Sequence, residues 1–151
     1  MTIRASTGLK NAMLGSVGLK DALANGVLRI YSGTQPSSAD AAVVGTLLME
    51  VTLDGGAFSH GTPTNGLNWD TPANGQTEKP VADTWKGAGI ADGVAGWGRF
   101  CANPLDDGSS STSLSRVDMS VGKGTGDLQL SNVNVATSAP ISVDYAVLRL
   151  P

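Results

Sequence analysis

The sequence predicts a mainly β protein, an antiparallel β-sandwich of the jelly-roll kind that is preceded by one N-terminal α-helix. The spacing of apolar residues changes at Asn25-Gly26 from the helical period of 3.6 to the strand period of 2. About eight or nine short alternating segments then follow, separated by clusters of turn-forming residues. We therefore expect an N-terminal helical element at residues 1–25 and a β-sandwich domain at residues 26–151.

The predicted helix covers residues 6–25, where STGLKNAMLG and SVGLKDALAN are near-copies of one decapeptide. Ser6 or Thr7 can cap its start, and Asn25-Gly26 is a suitable stop. Gly15 and Gly18 each weaken a helix interior by about 1 kcal/mol relative to alanine. Two short helices with a kink at Gly15-Ser16 are therefore the alternative.

One face of this helix is apolar and could be an interface. The stripe contains Leu9, Met13, Leu19 and Leu23, and Lys20 points into it. The stripe could pack on the sheet of its own domain. Alternatively, these five residues could dock the helix on a neighbouring subunit, because a weak helix needs a partner surface.

The alternating segments give the strand positions. We predict strands at residues 27–33, 46–53, 81–90, 95–102, 115–121, 128–135 and 141–151, with a further short strand at 67–69. In the 115–121 segment, Val117 and Met119 point inward while Arg116 and Asp118 point outward. The alternation slips by one residue at Ser131-Asn132, which predicts a bulge or a corner.

Composition disfavours several classes of partner. The net charge is −3 with scattered Lys and Arg, whereas nucleic-acid binding needs a basic surface. No stretch reaches the 18 apolar residues of a membrane span. The start, MTIRASTGLK, lacks the apolar region of a signal peptide, so we expect the chain to fold in a cytoplasm.

The residues that usually carry metal or nucleophile chemistry are scarce. His60 is the single histidine and Cys101 the single cysteine, too few for a zinc site of ordinary spacing. We expect Cys101 to be a buried structural thiol and His60 to be a loop residue. The sequence therefore indicates no metal, no cofactor and no Ser-His-Asp triad.

The remaining catalytic patterns are equally weak. Asp106/Asp107 and Glu78/Asp83 could be the carboxylate pair of a glycosidase, but any acidic pair fits that description. The GKGTG segment at 122–126 lies between strands and not before a helix, so we predict a hairpin turn and not a phosphate loop. We predict no catalytic residues and no enzymatic activity.

Three tryptophans allow two interpretations. Trp69, Trp85 and Trp97 could form a platform on which sugars stack, with Trp69 and Trp85 exposed in loops. Burial of at least two of them in the core is the interpretation that their size favours.

Several segments resemble small structural proteins of tailed bacteriophages and prophages. These are STGLKNAMLGS, NGVLRIYSGTQPSSADAAVVGTLLMEVTL, AGWGRF, DLQLSN and the closing ISVDYAVLRLP. The similarity covers most of the chain, and residues 26–53 are its most specific part. No catalytic residue comes with it.

The resemblance implies a virion structural protein that is assembled in the cytoplasm of a bacterial host. A head decoration (cement) protein that binds the major capsid protein, or another virion protein, is the first expectation. A tail or fibre component, including a receptor- or glycan-binding module, is the alternative. Symmetry of the particle implies a homo-oligomer, with a trimer favoured. Deletion of residues 1–25 should then leave a soluble β domain that assembles less well.

The scarcity of His and Cys leads to a testable expectation for stability. We expect neither a metal chelator nor a thiol reductant to change the thermal melting temperature, because no ligand cluster and no internal disulfide is available. Differential scanning calorimetry with and without each reagent measures this. A decrease of more than a few degrees would reveal a bound metal or an intermolecular disulfide.

Overall fold

A computed structural model describes residues 3–149, and these form a mainly β protein. The helices are α1 (Thr7–Leu14) and α2 (Leu19–Ala22). The strands are β1 (Arg4–Ala5), β2 (Val27–Ser32), β3 (Leu47–Leu53), β4 (Gln76–Glu78), β5 (Trp85–Ala88), β6 (Gly93–Cys101), β7 (Arg116–Gly122), β8 (Leu128–Leu130), β9 (Asn134–Val135) and β10 (Pro140–Arg149).

Seven of the strands close into a barrel. The order is β7-β8-β10-β5-β3-β2-β6, and β6 pairs again with β7. The strands β1, β4 and β9 extend this ring outside its closure. The predicted sandwich is therefore corrected to a barrel with additional strands. Alternating faces are common to both architectures, and the β6–β7 pairing is what closes the ring.

The connection between β7 and β8 also differs from the prediction. β7 and β8 pair in parallel, with Val121 opposite Leu128 and Gly122 opposite Gln129. The chain therefore passes through a tight loop at residues 122–126 and runs along β8 in the same direction as along β7. A hairpin would reverse the direction, so the predicted hairpin is wrong. The side chain of Asp127 closes the loop, since its Oδ2 accepts a 2.8 Å hydrogen bond from the Ser120 hydroxyl.

Apolar side chains from the ring strands and from the segment before β4 fill the barrel. The largest buried ones are Trp69 and Trp85, which meet edge to face with centroids 5.1 Å apart. Gly98 leaves space for its neighbours, because a Cβ there would lie 2.7 Å from the Leu128 side chain. Other buried members of this core are Leu28, Ile30, Met49, Val51, Phe100, Val117, Met119 and Leu130.

The N-terminal segment forms two helices, as in the alternative that the glycines suggested, and the single predicted helix is wrong. α1 ends at Leu14, and α2 begins after Gly18. Ser6 is the N-cap of α1, since its Oγ accepts a 3.1 Å hydrogen bond from the N–H of Leu9. The same hydroxyl donates to the carbonyl of Leu114, which ties the cap to the loop before β7.

The apolar stripe of these helices faces its own domain. Leu9 and Leu23 are fully buried in the same core cluster as the barrel residues, and Met13 and Leu19 pack partly against it. Leu9 and Leu23 are therefore core residues, which corrects their assignment to an intersubunit surface. Lys20 is half-buried on α2. The division at residue 25 stays a prediction, although the core continues across it.

This packing changes the expectation for the N-terminal segment. We expect Leu9→Ala to lower the free energy of unfolding by about 2–5 kcal/mol, because it leaves a cavity in a closed core. Leu14→Ala is the matched control, since Leu14 is 86% exposed, and should change it by less than about 0.5 kcal/mol. Urea denaturation measures both. Deletion of residues 1–25 should now yield insoluble protein, and a soluble, cooperatively melting deletion variant would contradict this.

Candidate functional site

A row of charged residues crosses the outer face of the barrel. Each is directly opposite the next on adjacent strands, in the order Glu50, Arg29, Arg99, Asp118 and Arg4. We call these five residues the cross-strand row. They lie on the face opposite the apolar core because successive side chains of a strand alternate.

Two ion pairs on this face are buried. Arg99 binds both oxygens of Asp118, at 2.6 and 2.9 Å, and both side chains are inaccessible to solvent. Arg116 binds both oxygens of Asp106 at 2.7 Å and is equally inaccessible. Such bidentate pairs are strong and geometrically specific. Arg29 forms a third, more exposed pair with Glu50 at 2.9 Å.

The same guanidinium groups hold a loop against the barrel. The connection between β2 and β3, residues 33–46, contributes carbonyl acceptors to three arginines. These bonds run from Arg4 to Pro36 (2.9 Å), from Arg99 to Ala41 (3.0 Å) and from Arg116 to Ala39 (3.4 Å). The loop therefore lies over the outer face and excludes water from the ion pairs.

A second loop, residues 102–115, lies against the 33–46 loop, and we call the two loops together the cover. The N–H of Val43 donates to the carbonyl of Gly108, and the N–H of Ser111 donates to that of Asp40, both at 2.9 Å. Asp40 also accepts from the N–H and the hydroxyl of Thr7, at 2.7 and 2.6 Å. The two loops and the start of α1 are thus bonded to one another.

Aromatic side chains and the single thiol lie under the cover. Tyr31 and Trp97 stack with centroids 4.7 Å apart, and Arg99 lies 5.4 Å from the centroid of Trp97. Burial raises the pKa of Tyr31 to about 12 and that of the Cys101 thiol to about 12. Cys101 is fully buried, so the prediction of a structural thiol is confirmed.

His60 braces this region from its edge. Its Nε2 lies 3.0 Å from Nη2 of Arg29, and its Nδ1 lies 3.1 Å from the carbonyl of Asn103. Because arginine can only donate, Nε2 accepts and Nδ1 carries the proton that is donated to Asn103. The histidine is a loop residue, as predicted.

The candidate site is a groove beside this cover, between β1, α1, the 33–46 loop and the end of β10. We call it the N-terminal groove; its volume is about 500 Å³. Its apolar lining comes from Ile3, Ala5, Met13 and Ala39. Its cationic lining comes from Arg4, Lys10 and Arg149, of which Lys10 and Arg149 are exposed. An apolar surface with a cationic rim can hold an apolar segment that carries carboxylates.

Only part of the predicted interface reaches this groove. Met13 lines it, whereas Leu9 and Leu23 are in the core and Leu19 and Lys20 lie on α2. The sequence interpretation missed the basic residues of the groove and the cross-strand row. A usable signal was present, because Arg29, Arg99 and Arg116 interrupt the apolar residues of three predicted strands in a chain with few charges.

Three of the four carboxylates that were considered as glycosidase pairs have structural partners. Both oxygens of Asp106 bind Arg116, and Asp107 accepts hydrogen bonds from the N–H and hydroxyl of Ser109. Glu78 accepts from the hydroxyl of Tyr145 at 3.0 Å. These contacts explain the positions of the three carboxylates without a substrate.

The three tryptophans are buried, and Trp69 and Trp85 belong to the core, which confirms the prediction that at least two are core residues. Trp69 is 1% exposed, and Trp85 and Trp97 are inaccessible. Trp69 and Trp85 therefore form no exposed sugar-stacking platform. No group of three or more potential metal-ligating side chains occurs within residues 3–149. Within the same range, neither helix has the length and hydropathy of a membrane span.

The buried pair between Arg116 and Asp106 leads to a prediction about pH. Burial alone would raise the pKa of Asp106, but the hydrogen bonds from Arg116 and from the N–H of Gly108 outweigh burial and lower it. A carboxylate with a lowered pKa contributes stability that is complete above its unfolded value of about 4 and is lost as the pH falls through its folded value.

We therefore expect Asp106→Asn to lower the free energy of unfolding by about 3 kcal/mol at pH 7, because Arg116 keeps a buried charge without its carboxylate. The difference from wild type should be constant between about pH 5 and 7 and shrink below about pH 4. Urea denaturation at each pH measures it, with the exposed Asp107→Asn as control. A difference that persists unchanged to pH 2 would contradict the assignment.

Comparison of the chain with protein-family models, with curated proteins and with solved structures finds no match.

Proposed function

We propose that this protein is a non-enzymatic structural component of a bacteriophage particle, a decoration protein that binds the major capsid protein lattice. The observation that carries the proposal is the N-terminal groove, a preformed apolar surface with a cationic rim. The resemblance of residues 26–53 and of the other quoted segments to phage structural proteins supplies the biological setting.

The construction of the site supports a docking role. Two sides of the groove, β1 and the 33–46 loop, are fixed by the hydrogen bonds of Arg4 and by the loop contacts of Arg99 and Arg116. A surface that is rigid before binding loses little conformational freedom when a partner docks. Moderate affinity per copy is sufficient on a lattice, because many copies bind side by side.

The proposed assembly follows from particle symmetry. Copies of a decoration protein lie around symmetry axes, and a homotrimer is the oligomer that we propose. The proposed location is the virion, with assembly in the cytoplasm of the bacterial host. A tail component is the alternative location. A glycan-binding module that uses Trp69 and Trp85 is not proposed, since both side chains are buried.

Purified particles provide the test. We expect particles induced from a bacterium that encodes this chain to contain it in a fixed ratio to the major capsid protein, with matching density on the head lattice by cryo-electron microscopy. Particles that lack the chain would refute the proposal. Density on the tail alone would support the alternative, a tail component.

Charge reversal tests whether the groove is the docking surface. Lys10→Glu with Arg149→Glu should weaken the binding of added protein to particles made without it, because both cations line the groove. Lys86→Glu with Lys123→Glu is the matched control, since both lysines are exposed and neither lines the groove. Equal binding of the two double variants would exclude the groove.

A further inference from the structure

The strand β1 is an open end of the sheet. Within residues 3–149 it pairs with β7 and with no other strand. The N–H of Ser6 donates to the carbonyl of Arg116, so the backbone groups of Arg4 and Ser6 face β7. Because backbone groups alternate along a strand, those of Ile3 and Ala5 face the opposite edge, beside the groove.

The cross-strand row ends at the same place. Arg29 and Arg99 each bind a carboxylate of a neighbouring strand, namely Glu50 and Asp118. Arg4 follows Asp118 in the row, yet within residues 3–149 it forms no ion pair and donates one hydrogen bond, to Pro36. A guanidinium has five N–H donors, so Arg4 retains donors for a further acceptor.

We propose that the edge of β1 accepts an extended acidic segment of a partner protein as an added strand. The register of the row specifies its pattern. The residue opposite Arg4 is acidic, and the residues that flank it, opposite Ile3 and Ala5, are apolar. Main-chain hydrogen bonds to Ile3 and Ala5 hold the segment, and the carboxylate extends the row by one position.

The groove fits this occupant in chemistry and in position. Ile3, Ala5 and Met13 give the apolar residues a surface to cover. Lys10 and Arg149 add two further cations to the lining, which favours an acidic partner over a basic one. The charge of the site is thus opposite to the net charge of the whole chain, which is −3.

The proposal names the class of segment that the groove binds, and in that respect it rests on the proposed docking function. The added-strand proposal is tested without particles, so that it and the proposed docking function can fail separately. Peptides that do not bind would overturn the strand proposal while particles still contain the protein. Peptides that bind would support it even if particles lacked the chain.

Three capped peptides, TVEVT, TVQVT and TVKVT, serve as probes in titrations of the ¹⁵N-labelled protein followed by NMR. We expect TVEVT to shift the amide signals of residues 3–6 in a saturable way. The dissociation constant of TVQVT should be about two- to fivefold higher, because it lacks the charge opposite Arg4. TVKVT should show no saturable binding.

Ala5→Pro is the decisive variant, because proline removes an N–H that faces away from β7 and is tolerated on edge strands. It should retain the unfolding free energy of wild type and lose binding of TVEVT, whereas the control Ala5→Ser keeps the N–H and the binding. Should Ala5→Pro fail to fold, Arg4→Gln tests the same register, since it should abolish the preference for TVEVT over TVQVT.

Four outcomes would overturn the proposal. They are absence of saturable TVEVT binding, equal binding of all three peptides, signal shifts that lie away from residues 3–6, and unchanged binding by Ala5→Pro. Sedimentation velocity adds a further discriminating measurement. A concentration-dependent dimer that Ala5→Pro abolishes would assign this edge to a second copy of the chain and not to an acidic partner.

Discussion

The buried pairs of arginine with aspartate determine how the outer wall of this protein is built. Removing four charges from water is costly, and the Coulomb attraction within each pair offsets that cost only when the remaining donors are also satisfied. Arg99 meets this condition through the carbonyl of Ala41, and Arg116 meets it through the carbonyls of Ser109 and Ala39. Departure of the 33–46 loop from the barrel would therefore expose both ion pairs to water and remove one hydrogen bond from each arginine. The irregular 33–46 loop is therefore an integral part of the fold, like the strands that it covers.

The candidate site depends on the same constraint. The groove is bounded on one side by Ser37, Ser38 and Ala39, which belong to this loop, and on another by Arg4, the last member of the cross-strand row. Both boundaries are fixed by guanidinium groups of β1, β6 and β7, which donate hydrogen bonds to carbonyls of the loop. The stability of the outer face and the shape of the groove thus have a common origin.

The sequence predicted the local features and missed those that depend on distant segments. Alternation located β2, β3 and β6 to within about two residues, because a strand with one buried face repeats every second residue. Arg116 and Asp118 point away from the barrel core, as predicted, yet they are covered by loops, and no local pattern reveals which loop returns over which strand. The closure of the barrel and the packing of Leu9 are also determined by contacts between segments that lie far apart in the chain. The groove combines β1, α1, a loop and β10, so its residues carry no common motif.

The reactivity of the buried thiol can report how often the outer face of the barrel opens. Cys101 ends β6 beneath the two loops, with its sulfur 4.0 Å from Nη1 of Arg29, and it is the single cysteine of the chain. A thiol that is inaccessible and remains protonated at neutral pH reacts with an alkylating reagent only while the protein around it is open. The rate at which the reagent modifies Cys101 therefore measures how often the two loops over the outer face open. If that rate follows global unfolding, the loops and the barrel open together; if it is faster, the loops lift first as a separate unit.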